Sequence, residues 1–146
     1  MAASDNIAPA LNDMGSVKEF SSTLLELVGN FQSTLHRLSE TDKSFANSGY
    51  AVLMEVYGLR TRGYILLNDS GNHVVNSLGF SQGELLNLFE RIKVVAQDAS
   101  TLKMANAIVL SVATFTVALG EDRNKVVDFL FDTLCNDVSD WEGLVR

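Results

Sequence analysis

His36, His73 and Cys135 are the side chains in this 146-residue sequence best suited to proton transfer, nucleophilic attack or metal ligation. His36 stands four residues before Glu40, and Asp69 stands four before His73, so on a helix each pair would share a face and offer two metal ligands. Two ligands are half a site, and a satisfied or solvated surface histidine is the better reading of either pair. Cys135 would need a histidine beside it to act as a nucleophile. It follows Leu134 at the edge of an apolar helical pattern with acidic neighbours in sequence, surroundings that raise a thiol pKa. We therefore read it as a buried structural cysteine. As the sole cysteine it excludes an internal disulfide and a multi-cysteine zinc site, and it suits a reducing cytoplasm.

The glycines build no phosphate cradle. Gly58 and Gly63 lack the spacing of a dinucleotide or P-loop motif, and Gly79 to Gly83 lacks its lysine. Asp69-Ser70-Gly71 lacks the later ligands of a calcium loop. The sequence thus predicts no catalytic residue, no metal site and no cofactor, and a non-enzymatic protein.

One locally basic stretch stands out. Arg60 and Arg62 flank Thr61, with Tyr57 and Tyr64 close by, a set that offers forked donors and flat apolar surface to a protein partner. These four residues are the predicted partner-binding site; solvent-facing turn residues are the plainer alternative. Eleven Lys and Arg against eighteen Asp and Glu leave a net charge of -7, with no basic stripe to displace counterions from phosphate. Nucleic acid and anionic membrane surfaces are disfavoured partners on that ground.

The elements that would position these residues follow from hydrophobic period. Residues 1–15 carry Ile7, Leu11 and Met14 without a period and read as a flexible N-terminal arm before a single domain at 16–146; they also lack the basic start and apolar run of a signal peptide. Ser16-Val17-Lys18-Glu19 has the form of a capping box, and a stripe from Val17 to Leu38 predicts a helix over 16–40. Phe45 to Asn68 is ambiguous, since Val52, Val56, Leu59 and Leu66 share a helical face while Val52–Tyr57 and Tyr64–Leu67 would also suit paired strands. Helix is favoured.

A second capping box, Ser81-Gln82-Gly83-Glu84, with Phe80 and Leu85 placed as a hydrophobic staple, predicts a helix over 81–97. Met104 to Gly120 holds no charge. A helix apolar all round is expected to be enclosed on every side, and this one is too short and too hydroxylated for a membrane span. Val127, Leu130, Leu134, Val138 and Trp141 form a last stripe over 122–141.

The expected fold is an all-α bundle of five or six helices around the apolar one, the alternative being α+β with one or two β-hairpins. The expected function is a cytoplasmic protein-interaction or assembly module that self-associates, for instance as a homodimer. An acidic chaperone or adaptor for a secreted or aggregation-prone client is one alternative. A small ligand- or metal-binding bundle is another.

Overall fold

A computed structural model describes residues 7–120 and 123–145. Five α-helices follow one another: α1 Met14–Thr41, α2 Phe45–Asn68, α3 Gln82–Asp98, α4 Leu102–Leu119 and α5 Asn124–Leu144, with a 3-10 turn at Ser70–His73 between α2 and α3. Among the described residues there is no strand, only an isolated antiparallel bridge between Pro9 and Ser81. The all-α bundle is the fold, and the hairpin alternative falls away.

Phe45 to Asn68 is continuous helix, and two of its glycines serve its packing. A Cβ on Gly63 would come within 2.7 Å of Leu25, and one on Gly49 within 2.5 Å of the Phe45 ring. Both glycines lie on the buried side of α2 with Val52, Val56 and Leu59, where they let α1 and the Phe45 ring approach closely.

The predicted capping box at Ser16 is not formed. Helix α1 starts two residues earlier, with Asp13 as its cap: the Asp13 Oδ1 accepts from the Ser16 amide at 2.7 Å. Asp caps as well as Ser, and the Glu19 side chain is occupied with Gln82 instead. The box at Ser81 does form, with both reciprocal bonds present.

Residues 1–6 of the expected arm lie outside the described residues. The part that follows is tied to the start of α3: Gln82 donates its amide to the Ala8 carbonyl, Ala10 donates to Phe80, and Ala10 and Leu11 are buried. Leu11 adopts a left-handed backbone, φ 59°, unusual for a bulky residue. Its amide donates to the Gln82 Oε1 and its carbonyl accepts from Val75, which hold it there.

Helices α1 and α3 run side by side in the same direction. Gln82 meets Ser16 at one end, and at the other the Thr34 hydroxyl donates to the Ala96 carbonyl at 2.9 Å. Phe20, Phe80, Phe89, Phe115 and Phe131 bring α1, α3, α4 and α5 together, with Phe80 and Phe131 stacked at 3.9 Å. Arg91 on α3 binds Glu142 on α5 through two bonds of 2.7 and 3.1 Å.

The apolar helix α4 packs against all four other helices, as a central element should. It is not enclosed, however. Only half of its 18 residues are buried, although its mean hydropathy of 1.7 and its length would suffice for a membrane span. Ala107, Leu110, Thr114 and Val117 form an exposed stripe along it. Composition told that every face is apolar; four neighbours cover only part of a cylinder, and the fifth sector is left bare.

Candidate protein interface

Helices α2 and α4 lie side by side and point the same way. At their starts the Leu102 amide donates to the Asp42 Oδ2 at 2.7 Å. At their ends Arg62, Ile65 and Leu66 meet Thr116, Val117 and Leu119 around a cavity of about 290 Å³. Leu11, Val17, Phe20 and Val75 close its apolar walls, and Arg62 and His73 supply its charged or titratable edge.

The side of α2 facing away from the bundle is apolar and aromatic. Tyr50, Met54, Tyr57, Ile65 and Tyr64 are 72%, 69%, 51%, 48% and 45% exposed. An outward helix face in a monomer normally carries charge, and three tyrosines on one solvent-facing stripe depart from that rule. The tyrosines recur every seven residues, which keeps them in line along the axis.

The four residues predicted as a partner site sit on α2 and not on a turn, because Gly58 and Gly63 do not end the helix. Tyr57 and Tyr64 share the outward stripe. Arg60 flanks it, its guanidinium carbon 5.8 Å from the centre of the Tyr64 ring. That contact stiffens both side chains by a weak cation–π attraction. Arg62 points to the opposite flank, half-buried at the mouth of the cavity. The structure thus joins Arg60, Tyr57 and Tyr64 on one side and sets Arg62 apart.

Tyr50, Met54 and Ile65 were missed. Their signal was present as a seven-residue spacing, but it became readable only once Phe45–Asn68 was known to be one helix. Leu110 and Val117 on α4 and Val126 and Phe129 on α5 are exposed as well, which apolar patterns that look like core did not reveal.

The candidate chemical groups stay dispersed. The His36 Nε2 lies 3.8 Å from Glu40 and the His73 Nε2 3.6 Å from Asp69, each an i,i+4 pair and nothing more. No group of three or more His, Cys, Asp or Glu gathers among the described residues. Cys135 is half-buried in a shallow depression with Glu84, Asn87, Leu88, Arg91 and Phe131, and no histidine lines it. Burial pushes its thiol pKa up, helped by Asp132 and Glu84 and opposed by Arg91.

No known protein family, no curated protein and no solved structure matches this chain.

Proposed function

We propose that the protein is an assembly module that self-associates through the outward face of α2. The observation that carries this reading is the uncharged, aromatic stripe Tyr50, Met54, Tyr57 and Tyr64 on a helix whose opposite side already fills the core. Burying such a surface releases ordered water at little desolvation cost, and tyrosine contributes area with few rotamers to freeze.

Charge supports the same face. The chain carries -7, so two copies repel, whereas Phe45–Asn68 holds two arginines and one glutamate, a local +1. Copies therefore approach best through α2.

The test is the mass of the purified protein as a function of concentration, for the wild type and for Tyr57→Ala combined with Tyr64→Ala. A wild-type dimer that the double variant dissociates at the same concentration supports the reading. A wild-type protein that stays monomeric throughout removes it.

The cavity beside Arg62 favours the ligand-binding alternative over the chaperone one. Its volume of about 290 Å³ lies at the lower edge of small-molecule sites, which start at roughly 300 Å³. An apolar body with one anionic group would match Leu66, Val117 and Arg62. Calorimetric titration with octanoate tests it, and absence of heat with no change in melting temperature would remove it.

A further inference from the structure

The outward face of α2 repeats with a seven-residue period that specifies how a second copy would lie on it. Ala51, Met54, Gly58, Thr61, Ile65 and Asn68 alternate at steps of three and four, the seam spacing of a coiled coil, and all six are exposed. On one side of that seam stand the tyrosines. On the other stand Glu55 and Arg62, seven residues apart and of opposite charge. Neither Glu55 nor Arg62 has a hydrogen bond or ion pair among the described residues.

Building on the self-association proposed above, we infer that two copies pair their α2 helices antiparallel about a two-fold axis between Gly58 and Thr61, with Glu55 of each copy bound to Arg62 of the other. In an antiparallel pair, like flanks face each other, so the charged flank meets itself in reverse. Reversal brings Glu55 opposite Arg62 twice, and the tyrosine flank brings Tyr57 opposite Tyr64. In the seam between them Met54 meets Ile65, Ala51 meets Asn68 and Gly58 meets Thr61. A parallel pair would set Glu55 and Arg62 against tyrosines and leave both charges unmatched.

Gly58 fits this register. A Cβ there would meet nothing within 4 Å, so the fold itself has no need of glycine at that point, unlike Gly49 and Gly63. Gly29 on α1 is equally open, so openness alone decides nothing. What distinguishes Gly58 is its place in the seam beside the axis, where lack of a side chain lets two backbones come close. A second copy is the occupant chosen because the spacing is complementary to its own reverse, a property that an unrelated partner has no reason to share.

Charge reversal of the full-length protein tests the register, with the dimer dissociation constant measured by sedimentation and the fold checked by circular dichroism. Glu55→Arg and Arg62→Glu each place like charges together twice, and each should weaken the dimer by at least about tenfold. The double variant restores opposite pairs and should return to within about threefold of the wild type. Gly58→Leu, which has open space within its own chain, should weaken the dimer while leaving the helix content unchanged. If the wild type dimerises and the single reversals leave it intact, or the double reversal fails to rescue, this register is overturned and self-association stands. A wild type that is monomeric at every concentration overturns both.

Discussion

The Gln82 side chain reaches the Leu11 backbone across 71 residues of sequence, its Oε1 accepting the Leu11 amide at 3.0 Å in a fully buried setting. The same amide group donates through Nε2 to the Ser16 carbonyl and to Glu19, at 3.0 and 3.1 Å. One side chain thus clamps the N-terminal strap and the first turn of α1 to the start of α3. Gln82→Met keeps the shape and removes all three hydrogen bonds. It leaves the Leu11 amide buried without an acceptor and should cost about 2–3 kcal/mol in a denaturant titration. A loss under about 0.5 kcal/mol would mean that the strap is not held by this contact.

Asp42, in the turn between α1 and α2, ties that turn to the start of α4. Its carboxylate accepts from the Leu102 amide at 2.7 Å and from the Ser44 amide and hydroxyl at 2.9 and 2.6 Å. These bonds, that of Leu102 foremost, hold its pKa below the ordinary 3.8. A lowered folded-state pKa means stabilisation that is complete above the ordinary value and lost as the pH falls through the lowered one. Asp42→Asn should therefore melt below the wild type at about pH 7, and the difference should shrink as the pH falls through the lowered folded-state value. Equal melting temperatures at neutral pH would contradict the assigned role.

Cys135 should be a slow thiol. Burial and the carboxylates of Asp132 and Glu84 keep it protonated at neutral pH, against the smaller pull of Arg91. Alkylation by iodoacetamide should still be accelerating above about pH 9. A rate that levels off below about pH 8 would reopen Cys135 as a reactive group.

Gly58→Ala removes a glycine from an exposed helix interior where a methyl group meets nothing. At concentrations low enough for the monomer to prevail it should stabilise the fold by about 0.5–1 kcal/mol. Destabilisation would show that α2 bends or packs at that point in a way its contacts do not record.

The long stripes were legible because they are local. Val17, Phe20, Leu24, Leu27, Val28, Phe31, Leu35 and Leu38 are all buried, and the Ser81 box forms as its residue types require. The strap was not legible, since Leu11 has no periodic neighbours and its partner Gln82 comes from another part of the chain. The start of α1 was misplaced because Asp13 and Ser16 are competing caps three residues apart and sequence does not rank them. The bare stripe on α4 was illegible for a different reason: an apolar side chain reads the same whether it faces core or solvent. That ambiguity also hid the face of α2. Tyr57, Tyr64, Arg60 and Arg62, the proposed partner residues, were singled out by residue type, while their division between an outward stripe and its two flanks needed the helix itself.

The most direct test of self-association through α2 is a sedimentation-equilibrium mass of the wild type beside Met54→Glu combined with Ile65→Glu. Both positions are exposed, so the variant keeps its core. The predicted result is twice the chain mass for the wild type and the single-chain mass for the variant, with matching circular dichroism spectra. Equal masses for the two proteins, whether both single or both double, would contradict an assembly face on α2.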